Sequence, residues 1–262
     1  MALQAATRNR LAEPHLFGVS SGAALGAALG PLTLPATAFV GALGATGMTV
    51  LLGMRAGRVD PQRLLLSGVA VSFVPMSCAN LLLYLGDQRA APSVLFWMLG
   101  GLGNARWESL LTPACFCAAG VLLLLAGRRE LNALGSGDVA ASTLGVDVGR
   151  LRRELFVVCS LMTAAMMAVS GTIGFVGFVG FVGFVGFVGF VGFVSFLAPH
   201  LARRLVGVEH GRTLPCAALA GALMLTWADV AARTLIAPDD LPVGIVTSLF
   251  GGALLVALMR CR

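Results

Sequence analysis

Continuous apolar runs constrain this chain most, since several reach the roughly 20 residues that a helix needs to cross a bilayer. The chain is 58% hydrophobic and 11% charged, with a mean hydropathy of +0.91, whereas a soluble domain typically carries about 25% charged residues. Because the runs are continuous rather than alternating, they favour helices over the strands of a membrane barrel. We therefore predict an all-α, polytopic membrane protein with one transmembrane domain over residues 1–262.

The placement of arginine predicts the topology of these runs. With a cytosolic N-terminus, 15 of the 18 arginines fall in cytosolic segments and only Arg89, Arg106 and Arg233 fall outside, as the positive-inside rule expects. This bias predicts an even number of spans and two cytosolic termini, and it explains the net charge of +6 without nucleic acid as a partner. The eight predicted spans lie at about 16–34, 36–54, 64–85, 107–126, 154–172, 173–202, 214–233 and 242–259.

The longest polar interval runs from Gly127 to Arg153 and has arginines at both ends. Between them, Glu130–Leu134 and Asp138–Leu144 read as two short helices closed by glycines. A basic-ended, partly helical loop between apolar spans is what a membrane protein presents to a cytosolic partner. Because the chain contains no lysine, it cannot carry a standard phosphate-binding P-loop. We expect a non-enzymatic chain with no catalytic residue and no bound cofactor, and any ATP hydrolysis must come from another subunit.

Two further segments carry local signals. Pro92–Trp107 is too short to cross the membrane and is rich in glycine and aromatic residues, which predicts a short extracellular helix or a re-entrant segment with its two tryptophans at the interface. Glycines at every fourth position of the first span predict a smooth face for close helix packing. These glycines are Gly18, Gly22, Gly26 and Gly30.

Charged residues near the outer end of the seventh span predict a local ion pair. Asp229 and Arg233 are four residues apart, so they would lie on one helix face and pair with each other, although Arg233 could also present its guanidinium outward. The histidines His15, His200 and His210 lie near inner span ends, where interfacial positions are commoner than metal ligands. No cluster of metal ligands is visible, so we predict no metal site.

Gly174–Val194 consists of seven GFV units. A period of three does not match the 3.6 residues of a helical turn, so the glycines would drift around the axis instead of forming a stripe. Tandem duplication of a nine-nucleotide unit explains this pattern better than a functional repeat. We expect the excess length to be accommodated as an overlong or broken sixth span.

Several long motifs, in the same order, resemble the permease subunits of ABC importers for iron-siderophores, haem and vitamin B12. The resemblance implies a type II ABC importer permease in the bacterial cytoplasmic membrane. It also implies a cytosolic ATPase that holds ATP and Mg, an extracytoplasmic substrate-binding protein, and a second permease copy or homologue. The matching stretches are GVSSGAALGA at 18–27, RLLLSGVAVS at 63–72, FWMLGGL at 96–102, LNALGSGDVAASTLGVDVGRLR at 131–152, GFVSFLAPHLARRLVG at 192–207 and ADVAARTLIAPDDLPVGIVTSLFGG at 228–252.

The resemblance also implies roles for particular residues. Two coupling helices within Leu131–Val146 would dock into the ATPase, with small side chains allowing close contact. Arg233 would face the acidic rim of the binding protein. The residues expected at the ATPase are Leu131, Asn132, Ala133, Leu134, Gly135, Ser136, Gly137, Asp138, Ala140, Leu144, Gly145 and Val146.

Two departures from the family leave alternatives open. Members usually have ten transmembrane helices, and this chain begins where their third would begin, so the resemblance implies that the first two are missing. The 18 residues at 177–194 look inserted. One alternative is a truncated, non-transporting remnant of such a permease. Another is an ion-coupled secondary transporter, which needs carboxylates buried in mid-span; Asp229 is the only candidate and lies near a span end.

Overall fold

The computed structural model describes residues 2–7, 17–30, 34–55, 58–86, 91–101, 106–171, 202–203, 205–207, 209–235 and 241–243. These residues are mostly helical, which confirms the all-α prediction. A short hairpin of β1 (Met54–Arg55) and β2 (Arg58–Val59) joins α3 to α4. The helices are α1 (Ala2–Thr7), α2 (Val19–Leu29), α3 (Leu34–Gly53), α4 (Pro61–Leu85), α5 (Ala91–Leu99), α6 (Trp107–Ala126), α7 (Arg128–Gly135), α8 (Asp138–Thr143), α9 (Val148–Ser170) and α10 (His210–Leu235).

Five described helices are long and apolar enough to cross a membrane, namely α3, α4, α6, α9 and α10. They contain 20 to 26 residues, which at 1.5 Å per residue gives lengths of about 30–39 Å, enough for a hydrocarbon core of about 30 Å. They correspond to the predicted spans 36–54, 64–85, 107–126, 154–172 and 214–233. The predicted spans 173–202 and 242–259 lie outside the described residues, apart from positions 202, 242 and 243, and so does the GFV repeat.

The first predicted span, 16–34, is wrong in its extent. The helix there, α2, has only 11 residues, or about 16 Å of rise, which is too short to cross a bilayer alone. Gly18 precedes it with a φ of 78°, and Gly30 ends it by donating its N–H to the Gly26 carbonyl. Gly18 and Gly30 therefore mark the ends of the helix, whereas the prediction placed them on a packing face.

Gly22 and Gly26, the other two glycines of the predicted packing face, lie where α2 meets α3. A methyl group on Gly22 would overlap the carbonyl oxygen of Gly41, and one on Gly26 would overlap the carbonyl oxygen of Thr37. Gly41 completes the contact from the side of α3, since a methyl group there would overlap the Gly22 carbonyl. Because the obstacles are backbone atoms, only glycine permits this close approach of the two helices.

α9 is the most buried of the five long helices, with half of its apolar window inside the protein. In its first half, Leu155 and Phe156 belong to a core that also contains Leu131 of α7 and residues of α1. Further along, Ala164 and Met167 belong to a second core with residues of α2, α3 and α5. A single helix therefore connects the region of the two short helices to the opposite end of the bundle.

α5 lies at that opposite end, inside the segment predicted as a short helix or re-entrant piece. It has nine residues, too few to cross the membrane. The Gly101 N–H, just after α5, donates to the Ser170 carbonyl at the end of α9 (3.1 Å). Gly171 follows with a φ of 71°, and a side chain there would overlap the Trp97 carbonyl. α5 and the end of α9 are therefore joined through close backbone contact.

The two tryptophans of this segment have different environments. Trp107 is 90% exposed at the start of α6, in keeping with an interfacial position. Trp97 is partly buried and packs against the second core. Trp97 is therefore held within the protein by α5, and its position at the membrane interface stays a prediction.

Candidate coupling site

The two short helices predicted in the polar interval are present as α7 and α8, within two residues of their predicted ends. Gly137, between them, has a φ of 114°, and Gly145, after α8, has a φ of 82°. L side chains rarely adopt these values, so glycine fixes both turns. The Val146 N–H bonds to the Ala141 carbonyl (3.0 Å) and closes α8 in a Schellman arrangement. The glycines at these two turns therefore determine the shape of this helical pair.

The loop is shorter than the predicted interval of 127–153. Asp147 caps α9 by accepting the Arg150 N–H (3.0 Å), and the helix begins at Val148. The second group of arginines therefore lies on the first turns of α9 and not in a loop. One of them, Arg152, is buried.

The buried face of α7 attaches the pair to the bundle. Leu131 and Leu134 are fully buried in the core shared with α1 and α9. They are three residues apart and so lie on one face of the helix. In α8, Ala141 is buried as well. Burial gives Leu131 and Leu134 a different role from the predicted ATPase contact, since they anchor α7 and are inaccessible to a cytosolic protein.

The opposite face of the pair is open and partly apolar. Val139 is 77% exposed and Leu144 is 71% exposed. Val139 is absent from the predicted set, although an apolar residue within a polar interval was an available signal. Of the predicted residues, Gly135, Ser136, Leu144 and Gly145 are exposed, and Ala133, Gly137, Ala140 and Val146 are half-buried.

A groove of about 650 Å³ opens between α7 and the start of α9. Ala133, Leu144 and Val146 line it together with charged residues that include Arg129 and Arg150. Arg150 pairs with Glu154 one turn along α9 (2.7 Å). Of the two exposed apolar side chains, Leu144 lines the groove, so that the accessible surface combines apolar groups with a mixed-charge depression.

Arg152 links three elements beneath this surface. Its Nη2 donates to both carboxylate oxygens of Asp138, at 2.9 Å each, and its Nε donates to the Ala6 carbonyl at 2.6 Å. A buried arginine is rare unless it is paired, and here α8 and α1 supply the partners. In the sequence, Arg152 counts only as one of the charges that set the topology. Its spacing to Leu155, Phe156 and Cys159, which are buried on the same face of α9, could have revealed that Arg152 is buried.

Asn132 makes a second link, between α7 and α10. Its Oδ1 accepts the His210 backbone N–H (3.0 Å) and lies 2.7 Å from His210 Nδ1. Since the amide oxygen can only accept, the shorter contact requires a proton on Nδ1. The Asn132 side chain therefore contacts α10, a helix long enough to cross the membrane, and not the side on which an ATPase contact was predicted. His15 and His200 lie outside the described residues.

The predicted ion pair of the seventh span is confirmed in α10. Arg233 Nε lies 2.9 Å from Asp229 Oδ2, and the Arg233 side chain is about half exposed (48%). α10 starts at the coupling side with His210, so Arg233 lies more than six turns away along the helix. Within the part of the chain that the structure describes, no group of His, Cys, Asp and Glu could hold a metal ion.

Comparison with curated proteins identifies relatives along nearly the whole chain. The hemin transport system permease protein HmuU of Yersinia pestis is 36% identical over 262 residues, covering 95% of this chain and 73% of the relative. The Fe(3+) dicitrate transport system permease protein FecC of Escherichia coli (strain K12) is 36% identical over 273 residues, covering 99% of this chain and 76% of the relative. Both relatives are membrane components of transport systems.

A solved structure shares the fold. It is described as an inward-facing conformation of a metal-chelate type ABC transporter, with a TM-score of 0.83 and 28% identity, covering 100% of this chain and 80% of that one. The model of the FecCD transport family matches residues 1–180 and 181–261. With helices that can cross a membrane and an open helical pair between two of them, the chain belongs to the FecCD transport family and is a permease subunit.

Proposed function

We propose that this permease carries a metal chelate of the iron-siderophore, haem or cobalamin type inward across the bacterial cytoplasmic membrane, driven by a separate ATPase. In this proposal the ATPase holds ATP and Mg and docks on α7 and α8. A second permease copy or homologue completes the pathway, and an extracytoplasmic binding protein delivers the cargo. The relatives named for hemin and ferric dicitrate support this class of cargo.

The observation that carries the proposal is the two-faced structure of α7 and α8. One face is fixed to the bundle by Leu131 and Leu134, and the other exposes Val139 and Leu144. Val139 and Leu144 give the pair apolar side chains that a docking protein would bury. A pair that is both attached to transmembrane helices and open to a partner is suited to transmit movement between the two.

Arg233 is the proposed contact for the binding protein. It lies at the far end of α10 from the coupling site, and its side chain is about half exposed despite its pair with Asp229. An exposed guanidinium can make a further bidentate contact with a carboxylate of a partner. The ion pair with Asp229 would hold Arg233 in place for that contact.

Co-purification and uptake test this function. The tagged permease should retain an ATPase subunit in mild detergent. Liposomes containing the assembled complex and the binding protein should take up hemin, ferric dicitrate or cyanocobalamin only when ATP is enclosed on the side of α7 and α8. Uptake driven by an ion gradient without ATP would instead indicate a secondary transporter. Failure to bind an ATPase and to take up any of the three probes would indicate a non-transporting remnant.

Topology is the first specific prediction, and it follows from the 15-to-3 distribution of arginine. In a chain whose native cysteines are replaced by serine, Ser136→Cys should react with a membrane-impermeant maleimide only after the cells are opened. Arg89→Cys should react in intact cells. This pattern would place the loop that carries α7 and α8 in the cytosol and position 89 outside. The reverse labelling pattern would invert the orientation and remove the ATPase from α7 and α8.

A further inference from the structure

We propose that Arg152 is a positioning residue for transport, because its bonds make α9 and α1 follow movements of α8. We call Arg152 and its bond to Asp138 the joint. This proposal rests on the proposed docking of an ATPase at α7 and α8. Its guanidinium contacts the first residue of α8 and the carbonyl of Ala6 in α1, while its backbone belongs to α9. One side chain therefore joins the docking surface to a transmembrane helix and to the N-terminal helix.

The ion pair is built to resist separation. The Arg152 side chain is 7% exposed and that of Asp138 is 35% exposed. Separating them would leave a buried charge without its partner, which is far costlier than breaking a pair on the surface. Because Nη2 bonds to Asp138 while Nε is held by the Ala6 carbonyl, the guanidinium is fixed at two of its nitrogens, and a push on α8 is passed to α9 instead of being absorbed by a side-chain rotation.

α8 depends on this pair more than α7 does. α7 is held by two fully buried leucines and by the hydrogen bond that the His210 N–H donates to Asn132. α8 has six residues, and Ala141 is the one that it buries fully. A helix this short does not persist by itself. The bond that Arg152 donates to Asp138 therefore adds to Ala141 in attaching α8 to the bundle.

The exposed end of α8 lies next to the joint. Val139, which projects 77% into solvent, directly follows Asp138 in the chain. A partner that binds Val139 and moves it therefore also moves Asp138, the neighbouring residue, which is paired with Arg152. Val139, Asp138 and Arg152 form a path of three residues from the docking surface into α9, the most buried of the long helices.

Asp138→Asn tests the joint in the assembled permease–ATPase complex. The amide keeps the shape of the side chain but loses the charge that Arg152 requires. We expect ATP hydrolysis to remain at more than half of the parental rate while the amount of cargo imported per ATP falls about tenfold. The cargo is whichever of hemin, ferric dicitrate and cyanocobalamin the parent complex transports. Asp138→Glu, which can pair again, should restore most of that ratio.

Glu209→Gln is the matched control, since Glu209 loses only a long, exposed contact with Arg212 (3.9 Å). Should Asp138→Asn fail to assemble, Arg152→Lys provides the second variant. It keeps the buried charge, but its single ammonium cannot reproduce the fork that reaches both Asp138 and Ala6, so the ratio should again fall.

The two proposals fail in different ways. If the parent complex imports cargo and either assembled variant keeps the parental ratio of cargo to ATP, the joint is overturned and the coupling surface stands. If the parent chain binds no ATPase, the proposed function itself fails. A fall in the ratio for both Asp138→Asn and Glu209→Gln would also overturn the joint, because the effect would then not depend on the pair.

Discussion

Replacing Gly41 by alanine is expected to destabilise this protein by about 3 kcal/mol, the upper part of the usual range for overpacking. The new methyl group overlaps the carbonyl oxygen of Gly22, and a backbone carbonyl cannot rotate away as a flexible side chain would. α2 and α3 must separate, so the close contact that they make along Gly22 and Gly26 is lost. Heating in detergent should show the effect as a lower unfolding midpoint, followed by reaction of the buried Cys159 thiol with a fluorogenic reagent.

Gly44, one turn along the same helix, provides the control. A methyl group there meets nothing within 4 Å, so Gly44→Ala should be neutral or stabilising by a few tenths of a kcal/mol, because alanine favours helix over glycine. Equal midpoints for Gly41→Ala and Gly44→Ala would contradict the close contact between α2 and α3.

Replacing Gly135 by tryptophan is expected to abolish ATP-dependent transport while the chain still inserts into the membrane. Gly135 is exposed at the end of α7, on the side proposed to contact the ATPase. An indole there would hold the two proteins apart, and a misfit of about 1–3 kcal/mol corresponds to about 5- to 160-fold weaker association. Pull-down of the ATPase and uptake in liposomes measure the loss.

Gly135→Ala is the control, because it removes the glycine without adding a large side chain. A methyl group at this position would meet only His210 Cε1, at the ordinary distance of 3.8 Å, so this variant should couple normally. The thermal midpoint of Gly135→Trp without the ATPase should match that of the parent. Unchanged ATPase binding and transport in Gly135→Trp would exclude the end of α7 from the interface.

The helical class and the coupling pair could be predicted because their signals are local. Apolar runs of about 20 residues define the long helices, and α6 has the predicted ends at Trp107 and Ala126. Gly137 and Gly145 place the turns of α7 and α8 through backbone conformations that other residues rarely adopt. The pair of Asp229 and Arg233 follows from spacing within one helix.

What could not be predicted depends on contacts between distant parts of the chain. Arg152 and Ala6 are 146 residues apart, and the sequence around either residue does not indicate that they meet. The first span was overestimated because its apolar run continues past Gly30, where the helix ends. The prediction for the coupling site recognised the helices but assigned Leu131 and Asn132 to the ATPase, although both face the bundle.

The continuity of α9 has a geometric consequence. Its 23 residues form one helix that bonds to Asp138 near the start and to Gly101, beyond α5, at its end. At 1.5 Å per residue this helix is about 35 Å long, so a tilt of about 5° around its first turn would displace its far end by about 3 Å. A displacement of that size exceeds the tolerance of a backbone hydrogen bond such as that from Gly101 to Ser170. For that bond to persist, the segment after α5 must move with the end of α9. A small rotation at α8 is thereby converted by α9 into movement of α5 at the opposite end of the bundle.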